Sequence, residues 1–468
     1  MNISTRIAAV SAFFLSVALF YAPLAYGCTR PEMLPTLYVL LAASIVTGAV
    51  SFTAGQNWPA IPRVILVCVA VILIQGWWLT WNPVFPTLVS ASGGLGDATP
   101  ENIHRLSFDS MVMTSLTLGA FVVLYGLFGN PNLRRFILLA AAVSGVLISV
   151  IGVTLKLGGE PFMRYFWKPA DIDWNDFAFY RYHGNAGAFL NLVWPLILVF
   201  TRRAYTPLVN YGKKVLWTLS SIACACALFL NASKAALVIG LLILPWPFLT
   251  KLTRLRGKVL FVLGAVALLT IAGGLIASSL LAQEAAFQRM TNTSEFAGSF
   301  DGRVEAYQDY LYALPEVGPF GLGPGLFQIA FPYQTNPLGN VSVGLREYAH
   351  EDYLQTVLEW GWFGAFWWTL LVAGGLYRAF RSYWQRDLFT SKTERHLVLG
   401  AILGVIGTLA QALIDFPLQV VSIRLFFLVL LALCWASPQL LTPPPKNPER
   451  RRHYRLPVPA ELFKTYSR

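Results

Sequence analysis

Twelve uninterrupted apolar stretches run through the chain, at 6–26, 34–52, 63–81, 108–128, 135–155, 186–201, 215–231, 235–250, 259–281, 360–377, 397–414 and 420–437. About 20 such residues, wound as a helix, cross the roughly 30 Å of bilayer hydrocarbon, and a helix satisfies its own backbone N–H and C=O groups there. Charged residues are 12% of the 468 and hydrophobic ones 56%. An ordinary soluble domain carries about twice that share of charge, so this chain cannot cover a water-facing surface. The sequence predicts an all-α polytopic membrane protein with about 12 transmembrane helices and a large helical outer loop. A cytosolic enzyme and a disordered chain are both excluded.

The charge of +12 is distributed by side. Connections expected on one face, with the tail, hold 24 basic and 4 acidic residues; the rest of the chain holds 11 and 19. Basic loops stay in the cytoplasm, which puts both termini inside and makes the basicity a topology signal, not a sign of nucleic acid. The expected organisation is spans 1–9 over 1–281, an outer loop over 282–359, spans 10–12 over 360–437 and a basic tail over 438–468. The first apolar segment is read as an uncleaved helix. Cys68, Cys224, Cys226 and Cys434 lie in apolar runs and Cys28 stands outside one, which is neither a disulfide nor a metal framework.

A long loop in a compact chain usually carries function. Asp301 is placed to cap a helix whose Val304, Tyr307, Leu311 and Leu314 form one apolar stripe, suited to lie on the membrane surface until Pro315 ends it. The glycine-rich run 318–325 has the wrong spacing for a dinucleotide fingerprint and reads as a tight turn. Beyond it, His350, Leu354, Val357 and Leu358 share one helical face and Glu351, Gln355 and Glu359 the next, so His350 is expected to begin a helix entering the following span. An imidazole at the water–lipid boundary, with an unperturbed pKa near 6.5, suits acid–base work, and the position equally suits an interfacial structural residue. Glu351 and Asp352 read as solvated charges favouring the helix dipole. Asp171 and Asp173 have the spacing of a metal-binding pair, but such a triplet is common and carries no metal expectation.

The segment beginning His350-Glu351-Asp352-Tyr353-Leu354-Gln355 and closing Glu359-Trp360-Gly361 resembles the histidine motif of the O-antigen ligase and polymerase family of bacterial membrane glycosyltransferases. Gly302-Arg303, Pro315 and the run 321–327 precede it in the family's order. The segments 182–187 and 415–418 are similar to further family features, and Ser233-Lys234-Ala235 stands where the family usually has Ser-Arg-Gly or Ser-Arg-Ala. The resemblance spans roughly 180–430 and does not select a member.

That resemblance implies transfer of a glycan from an undecaprenyl-diphosphate-linked donor to an acceptor hydroxyl at the periplasmic face of the inner membrane. It implies no cofactor and no metal, and direct displacement with inversion needs no covalent intermediate. His350 becomes the catalytic candidate, as general base or as diphosphate ligand. Arg303 and Lys234 are candidates to stabilise charge on the leaving diphosphate, the lysine keeping the charge but not arginine's two-pronged fork. Arg346, Glu347, Tyr348, His183, Asn185 and Asp415 are candidates to orient groups or hold substrate. The acceptor, a growing glycan or lipid A–core, separates polymerase from ligase, and a protein O-oligosaccharyltransferase is a third member type. A transporter or flippase of lipid-linked glycans is the rival from another class. Polar residues concentrated in one outer loop, and the absence of duplicated halves, argue against it.

Overall fold

Apolar runs separated by short turns give a helical bundle in the computed structural model. It describes residues 3–55, 59–83, 99–166 (side chains to 158), 176–206, 209–231, 233–243, 307–308, 310–311, 314–315, 317–329 and 348–442. The long helices are α1 (Ile3–Leu24), α2 (Leu34–Thr53), α3 (Arg63–Trp81), α4 (Pro100–Leu127), α5 (Pro131–Phe166) and α6 (His183–Ala204). They continue with α7 (Tyr211–Leu230), α8 (Lys234–Ile243), α9 (Asp352–Trp384), α10 (Lys392–Gln411) and α11 (Val421–Ala436). Thr99, Asn210 and Ser391 cap α4, α7 and α10 by accepting from Asn102, Lys213 and Glu394 backbone N–H groups, which satisfies donors a helix start leaves open.

Helices joined by short turns alternate in direction. Ser4 and Ser11 of α1 donate to the carbonyls of Ser51 and Ser44 on α2, at 2.8 and 2.7 Å. Gln411 at the end of α10 donates to the Gly184 carbonyl at the start of α6, at 2.7 Å. Among the described residues, nine helices are long and apolar enough to cross a membrane: α1 to α7, α10 and α11. The expected eighth span appears as the ten-residue α8, the tenth runs inside α9, and the ninth, 259–281, lies outside the described residues. An all-α membrane-type bundle is therefore what the apolar runs build.

One end of the bundle collects the starts of α2, α4, α6, α9 and α11 with the ends of α1, α3 and α10. The opposite end is held by charge. Glu394 is buried and binds two arginines, Arg134 at 3.0 Å and Arg135 at 2.9 Å, Arg134 being buried as well. A bidentate carboxylate between two guanidinium forks satisfies groups that would be costly to bury alone.

At the first end, α9 is broken at Gly361, whose φ is 63° and ψ 179°. The glycine-rich turn sits in the break. Leu322 and Gly323 N–H groups donate to the carbonyls of Leu358 and Glu359 at 3.0 and 2.9 Å, and Phe363 N–H donates to Pro319 at 3.0 Å. Gln75 of α3 donates to both the Phe320 and Trp360 carbonyls, at 3.0 and 2.7 Å. The run 318–325 is thus the tight turn expected, and it is also a backbone clasp on a transmembrane helix.

Beside the clasp, Tyr310, Leu322, Leu326, Phe327, Ala349 and Leu358 bury one another with Ile103 of α4. The predicted surface stripe is corrected here. Tyr307 and Leu314 do pack on this small core, but Tyr310 takes the fully buried place and Leu311 is 55% exposed. The segment is turned toward protein because the clasp brings an apolar wall to it. Asp301, Arg303 and Val304 lie outside the described residues.

Candidate active site

His350 precedes α9 instead of beginning it. Glu351 caps the helix by accepting from Leu354 N–H, α9 starts at Asp352, and His350 adopts a φ of +53°. A left-handed backbone is uncommon for a residue with a Cβ and costs about 1–3 kcal/mol unless its surroundings hold it. Here they do: Tyr307 donates its hydroxyl to the His350 carbonyl at 2.8 Å, and Ala349 N–H donates to Gln355 Oε1 at 3.1 Å.

The side chain so presented faces Asp415. Nδ1 of His350 lies 3.5 Å from Asp415 Oδ1, with the carboxylate nearly buried and the imidazole 35% exposed. Aromatic rings wall the pair. Phe416 meets the imidazole edge-on at 4.8 Å between ring centres and is stacked between Tyr348 at 4.4 Å and Tyr182 at 5.5 Å. Asp415 also accepts from Phe416 N–H at 3.1 Å. Its other oxygen fits only because residue 184 is glycine, since a Cβ there would stand 2.1 Å from Oδ2. Gly184→Ala should therefore push the carboxylate off His350. A misplacement of about 1 Å costs about 100-fold in rate; we expect a loss of that size in glycan transfer, with a smaller fall in the thermal midpoint because the same methyl would stand 2.4 Å from Tyr182 Cε1. Wild-type transfer by this variant would remove Asp415 from the site.

Glu351 and Asp352 are not solvated charges. Both are buried, Asp352 to 1% exposure. The turn after α10 folds over the start of α9: Asp352 N–H donates to the Ala412 carbonyl at 3.0 Å, and its carboxylate accepts from Leu418 N–H at 2.9 Å and Gln419 Nε2 at 3.1 Å. Protein donors have replaced water. Burial nevertheless pushes the pKa of both carboxyls upward, well above the usual range for Asp352, while the N–H donors pull the other way. Glu359 is buried likewise and accepts from Gly325 N–H and Gln355 Nε2, each at 3.1 Å.

The remaining expected residues gather around the start of α6. His183 is its first residue, with its ring 4.7 Å from that of Tyr182, and its carbonyl accepts from Asn231 Nδ2 at 2.8 Å. Asn185 is buried, and its Oδ1 has no hydrogen-bond partner among the described residues. Asn231 ends α7, Ser233 caps α8 through the Ala236 N–H, and Lys234 is the first residue of α8. The start of α6 thus touches His350 through Tyr182 and the Lys234 corner through Asn231. Arg303, Arg346, Glu347, Asp171 and Asp173 lie outside the described residues. Among the described residues no group of three or more His, Cys, Asp or Glu side chains is placed to hold a metal.

Sequence reading passed over Arg424, which lies in the first turn of α11 and interacts electrostatically with Glu359, Asp352, Tyr348 and Tyr38. The signal was available: a lone arginine inside an apolar span is presumed functional. Of the two cysteines in the seventh apolar run, Cys226 is exposed on the bundle surface and Cys224 is buried. An imidazole facing a carboxylate at 3.5 Å and about one-third exposed, with cations at the same membrane edge, can take a proton from a hydroxyl and steady an anionic leaving group.

Residues 219–369 match the family model described as O-antigen ligase. No curated protein matches the chain. The matched stretch contains Lys234, Arg303, Tyr348 and His350, whereas Asp415 and Tyr182 at the start of α6, which contact His350, fall outside it.

Proposed function

We propose that this chain, whose residues 219–369 match the O-antigen ligase family model, transfers a glycan from an undecaprenyl-diphosphate-linked donor to an acceptor hydroxyl at the periplasmic face of the bacterial inner membrane. The observation that carries this reading is the His350–Asp415 pair at 3.5 Å, opening among aromatic rings at one end of a membrane-type bundle. Asp415, 3.5 Å from Nδ1, is assigned to hold the imidazole with Nδ1–H toward its carboxylate once substrate closes the site, which leaves Nε2 as the proton acceptor. The acceptor oxygen attacks the anomeric carbon from the side opposite the diphosphate. Its proton passes to His350, the bond to the diphosphate oxygen breaks, and the electron pair leaves with the diphosphate. Asp415 then stabilises the imidazolium, and Arg303 and Lys234 are assigned to the departing negative charge. Tyr348, His183, Asn185, Arg346 and Glu347 are assigned to substrate positioning. The acceptor is a growing glycan or lipid A–core.

The purified protein in liposomes, given an undecaprenyl-diphosphate-linked glycan, should release undecaprenyl diphosphate as the glycan moves. Lengthened donor chains formed without added acceptor mark a polymerase, and product formed only with lipid A–core marks a ligase. Movement of intact donor across the bilayer, with no release of undecaprenyl diphosphate, would instead establish the flippase.

A further inference from the structure

We propose that Arg424 is a phosphate-binding residue of this site, taking a lipid-borne phosphoryl group at the start of α11. This rests on the transfer reading above and adds to it a cation that neither the family match nor the sequence motifs include. Arg424 is the fourth residue of α11, about 6 Å along the helix from its start, and so lies near headgroup depth if the span begins where the helix does. Its Nε is buried without a hydrogen-bond partner, and among the described residues no carboxylate comes within 4 Å of its guanidinium.

The two nearby carboxylates do not explain the charge. Asp352 is occupied by Leu418 N–H and Gln419, and Glu359 by Gly325 N–H and Gln355. They moderate the potential around Arg424 without forming an ion pair with it. A half-buried arginine in a membrane span, with its Nε closed off from water and unpartnered, is costly without an anion, and its planar fork matches a phosphate in two-pronged fashion. An anion that reaches this depth in a membrane span is one carried on a lipid. The donor's diphosphate and the phosphates of a lipid A acceptor share that chemistry.

Binding to the full-length protein in phosphatidylcholine nanodiscs, with undecaprenyl diphosphate, lipid A and undecaprenol as probes, tests the assignment. Arg424→Gln should weaken one phosphorylated lipid by about 30-fold or more and leave undecaprenol unchanged. Arg424→Lys should fall between, and decides the matter should the glutamine variant fail to fold. Loss confined to undecaprenyl diphosphate assigns Arg424 to the donor, and loss confined to lipid A assigns it to the acceptor. Unchanged affinity for both phosphorylated lipids overturns the proposal. So does full recovery of binding in an Arg424→Gln, Glu359→Gln double variant, which would make Arg424 a charge balance for Glu359 alone. If the wild-type protein binds neither phosphorylated lipid better than undecaprenol, the transfer reading fails with it; wild-type discrimination that survives Arg424→Gln sinks only this assignment.

Discussion

Replacing His350 by alanine is expected to lower glycan transfer by about 10²–10⁴-fold, the usual contribution of a positioned general base. The substitution removes the ring nitrogen that Asp415 faces at 3.5 Å, yet leaves Tyr307, Glu351 and Gln355 holding the backbone through groups that do not involve the imidazole. The fold should survive. The two roles open to this histidine then separate. As a base, His350→Ala lowers kcat and leaves donor affinity intact; as a diphosphate ligand, it lowers both. In cells, loss of a ligase leaves undecaprenyl-linked long chains to accumulate, whereas loss of a polymerase leaves single repeat units. A glycan profile identical to wild type would remove His350 from the chemistry.

The fold was legible because hydrophobicity over about 20 residues is a strong signal that needs no partner to interpret it. The site was legible only in pieces. His350, Lys234 and Asp415 announce themselves as polar groups at membrane edges. The burial of Glu351 and Asp352 does not, because it depends on the turn at 412–420 arriving from 60 residues downstream with its N–H donors. Periodicity assigned His350 to a helix for a related reason. The face shared by residues 350, 354 and 358 is real as a pattern, but Glu351 accepts Leu354 N–H as a cap and Asp352 is pinned by a distant segment, which fixes the helix start two residues later. Gln75 is the clearest case of what one sequence conceals. It reads as a stray polar residue in the third span, and its role appears only where a broken helix and a turn expose two carbonyls to it. Arg424 differs from these, since its isolation within α11 was visible all along and only the unpartnered Nε required the structure.

Gly361→Ala should destabilise the protein by about 3 kcal/mol or more, from two independent sources. The first is conformational: φ 63° with ψ 179° is backbone that essentially only glycine adopts, at about 1–3 kcal/mol for other residues. The second is contact. A Cβ at 361 would stand 2.2 Å from the Pro319 carbonyl oxygen and 2.5 Å from Gly321 N, and Gly321 faces the reciprocal problem with Glu359 and Gly361. These are backbone atoms that cannot rotate aside, so the overpacking cost of about 1–3 kcal/mol is not relieved by a rotamer change. Relief requires the turn to lift off α9. Lifting it breaks the bonds from Leu322, Gly323 and Phe363 N–H, and frees Gly325 from Glu359, whose partner Gln355 supports the backbone before His350. Stability and transfer should therefore fall together in this variant, whereas in Gly184→Ala, whose added methyl meets side chains and not backbone, transfer falls further than stability. Gly212→Ala, whose added methyl meets nothing closer than Asn210 Oδ1 at 3.7 Å, is the matched control. Thermal unfolding in detergent and protease accessibility of the 318–325 turn read the effect directly, and an unfolding midpoint for Gly361→Ala equal to that of Gly212→Ala would mean that the break in α9 is not clasped as described.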